Sequence, residues 1–151
     1  MADIKVVGVV GAGQMGSGIA HVCALAGYDV VLNDVAPARI AEAIKTIERN
    51  MSRQVARGLI TDDSMKSGLA RIRGSENLAD VAGTDLAIEA ATENEEIKKE
   101  IFKALQPNLK PSTLLASNTS SISITRLASS TDRPERFIGL HFMNPVPLMN
   151  L

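Results

Sequence analysis

A glycine-rich segment near the amino terminus constrains this chain more than any other feature. Gly11-Ala-Gly13-Gln14-Met15-Gly16 follows a mostly β-branched run, 4–10, and precedes a run of small and apolar residues, 15–26. This order of strand, loop and helix is the context in which G-x-G-x-x-G binds a dinucleotide. We expect Gly11 to form the tight turn, Gly13 to admit a pyrophosphate and Gly16 to let helix and strand pack closely. The free N–H groups of the first helical turn would hold the pyrophosphate.

An acidic residue at the end of the next strand supports this interpretation. Asp34 closes the run 29–33 and lies 18 residues after Gly16, close to the offset expected for the carboxylate that binds the adenine ribose. A carboxylate there repels a 2′-phosphate, and the next basic residue is Arg39. The pattern therefore favours NAD over NADP. FAD is a competing ligand, because it binds to the same glycine pattern. The alternative without any ligand is that the glycines only form a loop and that Asp34 only belongs to a turn.

Strand and helix signals alternate along the rest of the chain. We expect helices at 38–57, from about 61 to 71, at 94–105 and at 122–128, with Pro37 in the first turn of the first of these. Further strands are expected at 71–74, 86–90, 114–117 and 137–141. This alternation predicts an α/β fold of the Rossmann type, a doubly wound, mostly parallel sheet with helices on both faces. The two helices between the second and third strands form an unusually long helical excursion.

Composition excludes several classes of function. The 151 residues are 45% hydrophobic but only 3% aromatic, and the net charge is −1. Nucleic-acid binding is not expected, since aromatic stacking platforms and a basic field are both missing. No apolar run is long enough to cross a bilayer, and the first residues do not form a targeting signal. The single cysteine, Cys23, fits a reducing cytoplasm, and we expect no metal site.

Polar side chains follow three of the later predicted strands. They are Glu93 and Asn94, the segment 117–121, and His141 with Asn144. Because ligands bind outside the carboxyl ends of parallel strands, we expect these side chains to converge near a bound nicotinamide. Oxidation of an alcohol needs a base for the hydroxyl proton, and an imidazole suits that role, which makes His141 the candidate. His21 lies in the first helix among small apolar residues, and we interpret it as structural.

Four segments carry a resemblance to a known family. They are VVGVVGAGQMGSGIA, EAATENEEIKKEIF, ASNTSSISIT and GLHFMNPVPLM. Together they resemble the NAD-binding domain of the 3-hydroxyacyl-CoA dehydrogenase family, and within it the bacterial 3-hydroxybutyryl-CoA dehydrogenases. The similarity extends over essentially the whole chain, so we treat 1–151 as one NAD-binding domain.

The resemblance implies a role for each of these polar side chains. His141 would be the base toward the substrate 3-hydroxyl, Ser120 would hydrogen-bond the same oxygen, and Asn144 would lie beside nicotinamide and substrate. Glu93 and Lys98 would line the cofactor site around the nicotinamide ribose. The cofactor-binding set that follows joins the glycine loop to the strand ends: Gly11, Gly13, Gln14, Met15, Gly16, Asp34, Glu93, Lys98, Asn118, Ser120 and Asn144.

The implied reaction is reversible hydride transfer between NAD and the C3 position of a (3S)-3-hydroxyacyl-CoA, in fatty-acid or butanoate metabolism. The family continues into a helical domain that supplies the homodimer interface, part of the substrate pocket and the Glu that orients the catalytic His. On its own, this chain would then bind NAD with little turnover. Two alternatives remain, a non-catalytic NAD(H)-binding module and a related β-hydroxyacid dehydrogenase. Arg49, Arg53 and Arg57 form a helical stripe that meets either the CoA phosphates or only solvent.

Overall fold

Six parallel strands form one sheet in the computed structural model, which describes residues 3–151. The strands are β1 Val6–Val10, β2 Asp29–Asn33, β3 Ile72–Ser75, β4 Leu86–Glu89, β5 Leu114–Ser117 and β6 Phe137–Gly139. The helices are α1 Gln14–Leu25, α2 Pro37–Ala56, α3 Asp62–Ala70, α4 Leu78–Ala82, α5 Glu95–Leu105 and α6 Ile124–Ser129. The strand order is β3-β2-β1-β4-β5-β6, with every neighbouring pair parallel. The order reverses between β1 and β4, which is where this architecture forms a ligand crevice.

Apolar residues cover both faces of the sheet, as a doubly wound fold requires. Val7 and Val9 of β1 belong to a core with α1 and α2, whereas Val10 belongs to a second core with α4 and α5. Successive strand residues point to opposite faces, so one β-branched run supplies both cores. In the second core, the rings of Phe102 and Phe137 meet edge to face, with their centroids 5.0 Å apart.

The helical excursion between β2 and β3 has the form expected from the sequence. Pro37 occupies the first turn of α2, and the helix buries Ile40, Ala43, Ile47 and Met51 against the sheet and α1. At the start of α3, the Thr61 hydroxyl accepts a hydrogen bond from the Ser64 N–H, which satisfies one free donor of the first turn. Met65 and Leu69 of α3 pack against the same core as α2, so both helices belong to the domain core rather than to a loop.

The structure departs from the sequence interpretation in two places. The five-residue helix α4, capped by Asn77, was not expected, because so short an element has too few residues to show a helical period. The strand expected at 137–141 ends at Gly139. Only the Leu140 N–H continues the ladder, to the Ser117 carbonyl, and the Phe142 N–H is taken by the Asn118 side chain. His141 thus lies beyond the sheet.

The other boundaries move by one or two residues: β1 begins at Val6, β4 ends at Glu89, and α6 begins at Ile124. Within residues 3–151, we find no helix with both the length and the apolar character that spanning a bilayer would demand.

Candidate functional site: a cofactor pocket at the strand ends

The glycine loop makes close backbone contacts at its two ends. Gly11 has a φ of +105°, its N–H donates to the Asn33 carbonyl, and a Cβ there would lie 2.6 Å from the Ala90 carbonyl oxygen. A Cβ on Gly16 would overlap the Gly11 carbonyl oxygen and lie 2.8 Å from its carbonyl carbon. Both positions therefore require glycine, and the structure confirms the packing roles predicted for them.

Gly13, in contrast, faces open space. A Cβ built on it would meet no atom within 4 Å, although Gly13 caps α1 with ordinary extended backbone angles. The first N–H groups of α1 have no partner within the helix and carry its positive dipole end. An anionic group can therefore approach this backbone closely, which is the fit that a dinucleotide pyrophosphate requires.

Asp34 lies beside the loop, buried and held by two backbone donors. Its Oδ2 accepts the Ala12 N–H at 3.1 Å, and its Oδ1 accepts the Ala36 N–H at 3.0 Å. The Arg39 guanidinium is 3.9 Å from Oδ2, on a side chain that is largely exposed. The carboxylate is thus fixed at the wall of a pocket that the glycine loop, residues 90–93, Lys98 and Asn118 also line, and that we name the cofactor pocket. Asp34 keeps further lone pairs available for ribose hydroxyls.

A buried charge pair forms the opposite end of the pocket. The Lys98 ammonium, on α5, hydrogen-bonds Oε1 of Glu89, the last residue of β4, and each residue is 1% exposed. Ser117 donates its hydroxyl to the same oxygen at 2.7 Å, and the Ala91 N–H donates to Oε2 at 2.8 Å. The ends of β4 and β5 and the start of α5 are therefore joined through one carboxylate.

Glu93 connects this pair to the loop that follows β5. One of its oxygens is 3.6 Å from the Lys98 ammonium, and the other accepts hydrogen bonds from the Thr119 and Ser121 hydroxyls. Burial alone would raise the pKa of Glu93, but the Ser121 and Thr119 hydroxyls and the Lys98 charge together lower it. Ser120 lies between the two tethered residues, with its own side chain exposed.

The segment 140–148 returns to the same edge of the sheet. Asn118 Oδ1 accepts the Phe142 N–H at 2.8 Å, which fixes the backbone next to the exposed His141. Farther on, Val146 is buried against Gly18 of α1, where a Cβ would be only 2.7 Å from the valine. This contact brings Asn144 to a pocket that also contains Gly13.

A further pocket, distinct from the cofactor pocket and from the one that contains Asn144, lies between α1, α2 and the segment 145–148. It is lined by Arg53, Arg57 and the buried His21, whose Nε2 pairs with the Gln54 side-chain oxygen at 2.8 Å. Burial lowers the pKa of His21, although the hydrogen bond with Gln54 opposes this shift. All three arginines of the stripe are exposed, but only Arg53 and Arg57 line this pocket, whereas Arg49 donates to the Thr46 hydroxyl outside it.

The cofactor pocket brings together most of the residues expected from the sequence. The expected residues that line it are Gly11, Gly13, Gln14, Met15, Asp34, Glu93, Lys98 and Asn118. Three residues of the predicted cofactor-binding set do not line it: Gly16 is buried beneath the loop, Asn144 lines the neighbouring pocket with Gly13, and Ser120 is exposed. The exposed His141 does not line it either. Sequence reasoning missed Glu89, whose only signal was a carboxylate at the end of an apolar strand. It also mentioned Arg39 only as the first basic residue after Asp34 in the sequence. In the structure, Arg39 lines both the cofactor pocket and the neighbouring pocket that contains Asn144.

Comparison with known proteins assigns the chain to a family. The sequence model of the 3-hydroxyacyl-CoA dehydrogenase NAD-binding domain matches residues 6–151. The chain belongs to this family. NAD is therefore the cofactor of the domain, in agreement with the open backbone at Gly13.

Curated relatives of this NAD-binding domain are considerably longer than the chain. A 3-hydroxybutyryl-CoA dehydrogenase from Bradyrhizobium diazoefficiens is 59% identical over 99% of this chain and 51% of its own length. A 3-hydroxyadipyl-CoA dehydrogenase from Escherichia coli is 42% identical over 100% of this chain and 32% of its own length. The crystal structure of a (S)-3-hydroxybutyryl-CoA dehydrogenase from Ralstonia eutropha has a TM-score of 0.95 and 46% identity, covering 99% of this chain and 53% of that one. The chain thus spans about half the length of the two 3-hydroxybutyryl-CoA dehydrogenases that it matches here.

Proposed function

We propose that this chain is the cofactor-binding part of an NAD-dependent oxidoreductase acting on a (3S)-3-hydroxyacyl-CoA, with 3-hydroxybutyryl-CoA as the expected substrate. The observation that carries the proposal is spatial. The cofactor pocket follows β1, β2 and β4, and the loops that bear Ser120 and His141 follow β5 and β6 at the same edge of the sheet. When bound, NAD supplies the hydride acceptor for the substrate C3 carbon.

The exposed side chains at this edge suit the proton chemistry of the reaction. We assign His141 as the base that takes the 3-hydroxyl proton, or returns it in the reductive direction. The Ser120 hydroxyl would hydrogen-bond the same oxygen and orient it toward the imidazole. Asn144 would contact the nicotinamide and the substrate from the end of α1. The Glu93 tether and the Asn118–Phe142 hydrogen bond support these roles by fixing the backbone beside Ser120 and His141.

Arginine side chains in the pocket between α1 and α2 support an acyl-CoA rather than a free acid as substrate. Arg53 and Arg57 both line this pocket, where a guanidinium can bind phosphate oxygens in a bidentate manner. A free hydroxy acid carries no phosphate to occupy such a site. We therefore assign these two arginines, and not Arg49, to the CoA phosphates.

Further expectations concern the protein around this domain. We expect the chain alone to bind NAD with little turnover, because the family resemblance places the residue that orients His141 in a helical domain, and loss of an orienting group costs several orders of magnitude. We also expect a homodimer formed through that domain and a cytoplasmic location. Burial raises the pKa of the Cys23 thiol to about 11, which keeps it protonated rather than a thiolate at neutral pH.

The test compares this chain with a longer protein that contains it, using acetoacetyl-CoA and NADH. The longer protein should oxidise NADH, and His141→Gln should slow it by roughly 10²- to 10⁴-fold without weakening NADH binding. Ser120→Ala should also slow turnover while leaving NADH affinity unchanged. NADH binding without turnover in the longer protein would identify a non-catalytic module. Activity on 3-hydroxybutyrate but not on its CoA ester would identify a β-hydroxyacid dehydrogenase.

A further inference from the structure

Two lysine–carboxylate pairs lie at opposite ends of β4. At the amino end, Asp85 and Lys110 are 2.6 Å apart, with side chains 21% and 43% exposed. At the carboxyl end, Glu89 and Lys98 are both almost completely buried. The two pairs share chemistry and strand, but only the buried one borders the cofactor pocket.

Stability alone does not account for the buried pair. Removing two charges from water costs about as much as their attraction returns, and well-packed apolar residues often replace such a pair without loss of stability. Yet both carboxylate oxygens of Glu89 are hydrogen-bonded, one to Lys98 and Ser117 and the other to the Ala91 N–H. A charged group so placed fixes the position and the electrostatic field of Lys98 at the pocket wall.

The charges at this end of the pocket sum to a negative value. Glu89 and Glu93 each contribute −1 and Lys98 contributes +1, which leaves −1 at the wall. In a parallel sheet of this order, adenosine binds beside the second strand, here at Asp34, and the nicotinamide lies across the crevice near β4 and β5. The oxidised ring carries a positive charge and the reduced ring carries none, so the two forms respond differently to this field.

We propose that Glu89 is a positioning residue that sets the oxidation-state preference of the site, by holding the Lys98 ammonium and keeping the net charge beside the nicotinamide at −1. This inference rests on the proposed binding of NAD in the pocket. With Glu89 in place, the field favours NAD⁺ relative to NADH. Without it, the charges of Glu93 and Lys98 sum to zero, and the preference for the oxidised ring is lost.

The test is a charge cycle on this chain, read as the ratio of the dissociation constants for NAD⁺ and NADH. NADH affinity comes from its fluorescence and NAD⁺ affinity from competition, with every variant measured at the same pH. Glu89→Gln should raise the ratio and Lys98→Met should lower it, each by about 30-fold for a unit charge about 8 Å from the ring at an effective dielectric constant of about 20. The double variant restores the charge of −1 and should return the ratio to near the wild-type value.

Asp85→Asn is the matched control, because it removes a carboxylate from a lysine pair on the same strand away from the pocket. It should lower the melting temperature and leave the ratio unchanged. A ratio unchanged in both single variants, or moved in the same direction by both, overturns the proposal. If Glu89→Gln does not fold, the double variant compared with Lys98→Met carries the same charge difference and must show a higher ratio. Failure of the wild-type chain to bind NADH would instead overturn the proposed cofactor site.

Discussion

Gly13→Ala separates the cofactor role of the glycine loop from its packing role. Gly13 has φ −79° and ψ −162°, angles open to any residue, and a methyl group there touches nothing within 4 Å. At a helix N-cap, Ala is less favourable than Gly by about 0.5 kcal/mol, and the stiffer unfolded chain returns a similar amount. The free energy of unfolding should therefore change by less than about 1 kcal/mol.

The same methyl group should weaken NADH binding strongly. It occupies the space through which a pyrophosphate reaches the first N–H groups of α1, and displacing the phosphates lengthens hydrogen bonds to a charged acceptor worth about 1.5–3 kcal/mol each. Loss of one such bond corresponds to a dissociation constant roughly 10- to 100-fold higher. Fluorescence titration with NADH measures this change, and urea unfolding of the same sample measures stability.

Gly16→Ala provides the contrasting variant three residues farther along. Its Cβ would overlap the Gly11 carbonyl, so the loop or the helix must move, and we expect destabilisation by more than about 3 kcal/mol. The reasoning is refuted if Gly13→Ala binds NADH as tightly as the wild type, since the phosphates would then lie elsewhere. It is equally refuted if Gly13→Ala unfolds as readily as Gly16→Ala.

Three further predictions test other parts of the domain. Asp34→Ala should weaken NADH binding about tenfold or more and raise the affinity for NADPH relative to that for NADH. Asp29 lies at the exposed start of the strand that precedes Asp34, so Asp29→Ala should change neither affinity in the same fluorescence titrations. Arg57→Ala should weaken coenzyme A binding measured by calorimetry, with Arg49→Ala as the control outside the pocket, and equal effects would contradict the assignment. Hydrogen bonds from Lys110 and from backbone N–H groups lower the pKa of Asp85 from 3.8 to about 2, so its stabilising contribution is present above pH 3.8 and is lost as the pH falls through about 2. Asp85→Asn should therefore flatten the acid side of the stability profile in urea titrations between those values, and an unchanged slope would contradict this.

Much of the fold could be predicted because local and long-range signals agree. The β-branched run that forms β1 fills both cores, and the periodic apolar residues of α2 are the ones buried. The end of β6 could not be predicted, because it depends on the Asn118 side chain capturing the Phe142 N–H, 24 residues away in sequence. No periodicity in the sequence encodes such a contact.

In the candidate site, too, local signals could be predicted from the sequence, whereas contacts between distant residues could not. The steric demands on Gly11 and Gly16 follow from backbone geometry, so a motif in the right context was sufficient to predict them, whereas the approach of a pyrophosphate to Gly13 stays a prediction. The surroundings of Lys98 did not follow from its motif, because they depend on the last residue of β4 and on a serine from β5. The family resemblance placed Lys98 in the cofactor site, but a fully buried lysine is rare, and only the structure shows the carboxylate of Glu89 that makes its burial possible.

The cofactor pocket and the side chains proposed to meet the substrate differ in how well this chain alone orders them. Asp34, Glu89 and Lys98 are buried and hydrogen-bonded, so the cofactor pocket is organised before any ligand arrives. Ser120 and His141 are exposed, and only the backbone beside them is fixed. Ordering an exposed side chain costs about 0.5–1.5 kcal/mol, and under the roles proposed for Ser120 and His141 this cost would fall on substrate binding rather than on cofactor binding. We therefore expect the domain to bind NAD as a separate unit, because the buried groups of the cofactor pocket do not depend on the exposed side chains that are proposed to meet the substrate.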